Sequence, residues 1–191
     1  TTMTDAMRAR LGVTARVVPM SDDEVATWVE TADGPMSFQH YFVRRRCQPA
    51  ISGIRFAGIK AARPQPEFLA ALAQPSLHSV IICPSNPYIS IDPILAVPGV
   101  REALRACAAP VIAVSPIVSG RALKGPTAKM MAELGVPPAA SAVARHYGNM
   151  LDGFVIDSAD AALADEVRAE GIAVHLAATV MRSLEDKMAL A

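Results

Sequence analysis

Short apolar runs alternate with stretches of helical spacing through the second half of the chain, and this alternation sets the fold class. His78–Cys83, Pro110–Ser115, Gly153–Ile156 and Ile172–His175 read as strands, each bounded by polar or turn-forming residues. Val97–Cys107, Gly125–Leu134, Ala139–Tyr147 and Ala159–Glu170 carry apolar residues at helical spacing between them. Glu67–Ala73 precedes this series as a helix and Arg182–Ala191 closes it. Nearly continuous apolar strands separated by helices predict a mostly parallel sheet covered on both faces, a three-layer α/β sandwich.

The pattern before this region is different. Thr1–Leu11 has helical spacing, and Ala15–Pro19 reads as a short strand. Val25–Thr31 and Pro35–Tyr41 flank Ala-Asp-Gly, a natural hairpin turn, with Trp28 and Phe38 expected on one side of it. Ile51–Ile59 reads as a further strand. The chain is therefore expected to place a small β-rich insert ahead of a Rossmann-like half. Pro64, Pro66 and the Pro137-Pro138 pair mark loops rather than linkers, so residues 1–191 read as one domain.

Composition refines this picture in three ways. With 191 residues, 52% of them hydrophobic, the chain can bury a sizeable core. Lys and Arg together number 18, as do Asp and Glu, so the formal net charge is zero. No general pull toward nucleic acid or an anionic membrane follows, and any anion recognition has to be local. Near-zero charge in so apolar a chain also favours self-association, and a homo-oligomer is expected. The cysteines are Cys47, Cys83 and Cys107, without metal-ligand or disulfide-framework spacing, which fits a reducing cytoplasm. No stretch is long and apolar enough to span a bilayer, so no membrane partner is expected.

Ligands of open α/β sheets bind beyond the carboxyl ends of the strands. Two successive strands here end in polar turns. Pro84-Ser85-Asn86-Pro87, with Ser90 after it, combines stiff prolines with hydroxyl and amide groups at a helix start. The same residues also suit an ordinary Asx or Ser turn with helix capping, and both readings stay open. Ser115 to Pro126 contains Ser119, Gly120, Arg121, Lys124 and Gly125, which offer positive charge and close backbone approach. Its plain reading is a solvated loop. In a parallel sheet, however, the two turns would lie side by side. A third run, Phe38 to Arg46, sets aromatics beside three arginines, as a stacking or phosphate site would, or as a solvated face would.

Other chemistry is less marked. His40, His78, His146 and His175 share no spacing, and His146 is expected to pack or to support a helix end. Asp92, Asp152 and Asp157 could hold Mg²⁺, but aspartates at helix starts are commoner as caps. No metal ligand is assigned. GxGxxG, Walker lysine and GxSxG motifs do not occur.

Taken in order, FQHYFVRRR at 38–46, PSNPYISIDPIL at 84–95, VPGVREAL at 97–104, VIAVSPIVSGRALKGP at 111–126, and ARHYG with LDGFVID at 144–157 resemble the CofD family. These are the 2-phospho-L-lactate transferases of coenzyme F-420 biosynthesis. AATVMRSLEDKMALA at 177–191 is similar to the family's C-terminal segment. The resemblance implies transfer of a phospholactyl or phosphoenolpyruvyl group from a guanosine-diphosphate-linked donor to the deazaflavin alcohol FO, releasing GMP. It implies Mg²⁺ as cofactor, and a ligand cleft lined by Ser85, Asn86, Pro87, Ser90, Ser115, Ser119, Gly120 and Lys124, with Gln39, Tyr41 and Arg44 from the first motif. The superfamily also holds regulatory proteins that bind a nucleotide sugar without catalysis. The family's Gly-rich strand-turn-helix and its acidic Asn-Thr-Gly-Asp-Asp type segment have no counterpart in these residues. The resemblance thus covers roughly the C-terminal three-fifths of a typical member. The Mg²⁺ ligands are expected mainly outside the chain, and the polypeptide is expected to be inactive alone.

Overall fold

Helix α1 (Thr2–Arg10) opens a computed structural model that describes residues 1–190. No residue of α1 is buried, and Met3, Met7 and Leu11 stand out to solvent. The segment expected as a strand at Ala15–Pro19 makes no ladder. Arg16 instead pairs with Asp5 of α1 and, at 2.5 Å, with Glu67, so the segment serves as an exposed ionic tie.

The hairpin forms where Ala-Asp-Gly predicts it. Strand β1 (Ala26–Thr31) pairs antiparallel with β2 (Gly34–Ser37), and β3 (Ile51–Ala57) pairs with the other edge of β1. Trp28 lies opposite Ser37, so Phe38 does not share its face. Trp28 takes the Arg55 guanidinium over its ring at 4.9 Å, while Phe38 packs near Tyr41 and Phe42. The second arm ends at Ser37 rather than running to Tyr41, because the chain turns into a π-helical turn at His40–Arg44. That turn carries Tyr41 into a small core with Val29, Ile51 and Met130, all 3% exposed or less.

Helix α2 (Pro66–Leu72) is capped by the Gln65 side chain, which accepts from the Phe68 amide at 3.1 Å. Strand β4 (Val80–Ile82) leads through a π-helical turn at Pro87–Ile91 to α3 (Asp92–Leu95) and α4 (Val100–Ala106). The helix expected from Val97 begins only at Val100, since Gly99 precedes it in the left-handed region at φ 88°. Strand β5 (Val111–Val114) is followed by a small hairpin, β6 (Ile117–Val118) and β7 (Arg121–Ala122). Then come α5 (Thr127–Glu133), α6 (Ala140–Tyr147), β8 (Gly153–Asp157), α7 (Ala164–Arg168), β9 (Ala173–Ala177) and α8 (Leu184–Leu190). The expected helix at Ala159–Glu170 is split into a 3-10 stretch at Ser158–Leu163 and α7. Ala191, the last residue of the expected closing helix, lies outside the described residues.

Strands β4, β5, β8 and β9 form one parallel sheet in that order, as the alternating pattern predicts. In register across it, Ile82, Ala113, Phe154 and Val174 turn one face into the main core. On the opposite face Ile112, Val114 and Val155 are half-buried, and Ile81 on the outer strand β4 is exposed.

Helix α5 ties the insert to the sheet. Met130 enters the insert core, and the Lys129 ammonium donates to the Pro49 carbonyl at 2.9 Å and the Tyr41 hydroxyl at 3.3 Å. Glu133 accepts from the Ile51 amide at 3.1 Å and pairs with Lys129. Burial pushes the Tyr41 phenol above its ordinary range, with Lys129 opposing it.

Candidate functional site

Parallel pairing of β4 with β5, Ile82 beside Ala113, brings the ends of these strands together on one edge of the sheet. Beyond them lies a groove of about 780 Å³. Its floor is made by the turns after the strands: Pro84, Ser85, Asn86 and Ser90 from one, Val114, Ser115 and Pro116 from the other. Leu123 to Thr127 form a second wall, and Phe38 and Phe42 reach in from the insert. Thr179, Val180, Met181 and Leu190 close the remaining side.

The floor is stiffened by two of its polar side chains, Asn86 and Ser115, which are already used. The Asn86 carboxamide oxygen accepts from the Tyr88 and Ile89 amides at 2.9 and 3.3 Å, and its nitrogen reaches Met130 Sδ at 3.3 Å. The Ser115 hydroxyl donates to the Ile117 carbonyl at 2.8 Å and accepts from its amide at 3.1 Å. Asn86 thus realises the capping role left open by the sequence, and Ser115, 4% exposed, is a buried turn residue rather than part of a solvated loop, while both line the groove. Asp92, after the first turn, faces His146 Nε2 at 2.9 and 3.0 Å with Arg101 at 3.8 Å, and Tyr88 lies against the imidazole. This pair fastens the turn carrying Ser90 to α6. Among the described residues, the Ser85, Ser90 and Thr127 hydroxyls and the Lys124 ammonium make no hydrogen bond or ion pair, and these are groups a ligand can engage.

Two aspartates, one ending β8 and one just after it, fasten loops at this edge of the sheet. Asp160, 8% exposed, accepts from the Ser119 amide with both oxygens, at 3.1 and 2.9 Å. Ser119 and Gly120 both have positive φ, 49° and 74°, as a two-residue hairpin turn requires. Asp157, 7% exposed, accepts from the Thr179 amide and hydroxyl at 2.8 Å each and from the Ala159 amide at 2.9 Å. Burial by itself would raise this carboxyl, but the Ala159, Thr179 and Val180 donors outweigh it and hold it below the usual carboxylate range.

The structure gathers Ser85, Asn86, Ser90, Ser115 and Lys124 around the groove. Pro87 is buried behind its floor. Ser119 and Gly120 build the β6–β7 turn outside the lining, and Gln39 and Arg44 are exposed away from it. Tyr41 is wholly buried in the insert core, with its hydroxyl on the Cys47 carbonyl at 3.3 Å, so it supports the aromatic wall from behind rather than facing a ligand. The aromatic side chains that do face the groove are Phe38 and Phe42, stacked with ring centroids 5.5 Å apart. Sequence reasoning did not assign these two, although they sit in the FQHYFVRRR run. Thr179 to Met181 were missed as well, and the C-terminal motif was the only signal for them. Among the described residues no three His, Cys, Asp or Glu side chains converge on one point. The oxygens of Asp92 and Asp157 are committed to protein donors, so these residues do not by themselves make a Mg²⁺ cage.

A parallel α/β sheet with a ligand-sized groove at its carboxyl edge defines the class as a Rossmann-like binding domain. The model of the family described as 2-phospho-L-lactate transferase CofD matches residues 1–186, and the chain belongs to that family. A phosphoenolpyruvate transferase of Streptomyces griseus is 39% identical over 194 residues, spanning 99% of this chain and 60% of the relative. A 2-phospho-L-lactate transferase of Methanosarcina mazei is 37% identical over 193 residues, spanning 100% of this chain and 62% of the relative. The chain therefore spans about three-fifths of the length of these curated relatives. A crystal structure of a UPF0052-family protein from Bacillus halodurans superposes with a TM-score of 0.64 at 17% identity, covering 97% of this chain and 64% of that one. That likeness concerns the fold.

Proposed function

We propose that the groove is part of the site of a transferase that moves a phospholactyl or phosphoenolpyruvyl group from a guanosine-diphosphate-linked donor to FO, with release of GMP. The observation that carries this is the pairing, in one groove, of a free cation and free hydroxyls with an aromatic wall. Lys124, Ser85 and Ser90 suit the phosphate oxygens of a diphosphate. The half-exposed Phe42 ring, backed by Phe38, suits a planar heteroaromatic ring, whether guanine or deazaflavin. Such a site acts by positioning and by compensating charge, while the stiff floor keeps the two ligands in fixed relation. Mg²⁺ belongs to the proposal as an ion that neutralises diphosphate charge when bound.

Binding to the chain tests the reading directly, with FO followed by its visible absorbance and GDP by calorimetry. Wild type is expected to bind both. Phe42→Ala should weaken binding of the stacked ligand by about tenfold or more, the scale of one lost ring contact. Lys124→Ala should weaken GDP more than FO, with a loss that shrinks as salt rises. A wild-type chain that binds neither would sink the proposal. Binding of a nucleotide sugar without FO would fit the regulatory alternative instead.

Self-association belongs to the same proposal. Strand β4 is the outer strand of the sheet and Ile81 on it is 53% exposed, an edge that a second copy can cover. Sedimentation velocity is expected to show a dimer or larger species, and a clean monomer at all loadings refutes it.

A further inference from the structure

We propose that Asp157 is a positioning residue that holds the segment Thr179–Met181 against the groove as one of its walls, and that ligand affinity depends on this hold. The inference rests on the reading of the groove as the ligand site. Asp157 is the last residue of β8, in register with Ala177, the last residue of β9. The chain leaves the sheet just after that pair and turns back across the groove mouth, where Thr179, Val180 and Met181 face inward. The contacts that fasten this return run to one side chain. One Asp157 oxygen takes both the amide and the hydroxyl of Thr179 at 2.8 Å, and the other takes the Ala159 amide at 2.9 Å.

The arrangement singles out a carboxylate. Three donors converge on its two oxygens, and the group is 7% exposed, so water does not compete well for them. An Asn at this position would present two N–H bonds where the backbone also presents N–H, and one of the two sides would be left facing donor to donor. The side chain is in turn fixed by the central sheet, because β8 lies between β5 and β9. Asp157 therefore transmits the rigidity of the sheet to a stretch that has few buried contacts of its own: Met181 and Leu184 are 49% and 67% exposed. Asp160, three residues further on, ties the β6–β7 turn outside the groove lining through the Ser119 amide.

The test compares wild type, Asp157→Asn, Thr179→Val and Thr179→Ser in the full chain. Amide hydrogen exchange reads the hold and needs no ligand, and FO and GDP titrations read the affinity. Asp157→Asn is expected to speed exchange at residues 179–181 by about tenfold or more, leaving residues 154–156 and 174–176 protected. The dissociation constant of the ligand touching that wall should rise by a similar factor. Thr179→Val keeps the amide bond and loses the hydroxyl bond, so it should fall between, and Thr179→Ser should match wild type. If Asp157→Asn fails to fold, Thr179→Val against Thr179→Ser decides alone. Unchanged exchange at 179–181, or faster exchange with unchanged affinity, overturns the inference. Wild type binding neither ligand would instead refute the proposed function, and the exchange data would still judge the hold.

Discussion

Phe154→Ala is expected to lower the free energy of unfolding by about 3–5 kcal/mol, the range for truncating a fully buried aromatic. Phe154 is 1% exposed and sits on β8 between Ala113 of β5 and Val174 of β9. Its sheet neighbours are small, so little can move in to refill the space, and a cavity would remain in the main core. Chemical denaturation of Phe154→Ala and Phe154→Leu against wild type checks this. The leucine variant should lose less, because it restores most of the volume. A loss below about 1.5 kcal/mol for the alanine variant would mean that the helices over this face collapse freely.

Gly58→Ala is expected to be nearly as damaging although it adds one methyl. Gly58 follows β3 at φ 83°, and a Cβ built there meets the Glu24 carbonyl oxygen at 2.3 Å. The obstacle is backbone just ahead of β1, so no rotamer change relieves it, and strain at positive φ adds to the clash. A loss of about 3 kcal/mol is expected, seen as a lower melting temperature. Gly58→Asn separates the two causes. Asparagine tolerates positive φ but brings the same Cβ, so it should not rescue. A near-native Gly58→Asn would show that the conformation, and not the close approach of β1, excludes side chains here.

Much of the parallel sheet was legible because its strands are apolar runs buried on at least one face, and that signal is local. The failures have local causes too. Ala15–Pro19 is short and partly apolar as a strand can be, but it makes no ladder, and Arg16 takes up Asp5 and Glu67 instead. Pro35–Tyr41 was expected to extend to its end. The π-helical turn that interrupts it carries Tyr41 into a core with Met130, a contact across nearly half of the chain.

The candidate site divides the same way. Ser85, Asn86, Ser90, Ser115 and Lys124 follow from a general rule about strand ends, and they line the groove. Tyr41 and Phe42 are neighbours in one aromatic run, and only packing decides that the first is core and the second is wall. Thr179 to Met181 depend on Asp157, which in sequence looks like any capping aspartate. His146 was expected to pack or to support a helix end, and its pairing with Asp92 is likewise set by tertiary contact.

The order of the parallel sheet, β4-β5-β8-β9, is also the order of the chain. Each of these four strands docks beside the one made before it, so none of them must be threaded between two of the others already paired. The antiparallel insert is the exception. Its strands precede the parallel sheet, but its core is completed by Met130 and its seams are closed by Lys129 and Glu133 of α5. The insert must therefore wait for α5, which begins only at Thr127, well after β3 ends at Ala57, before its fold is sealed.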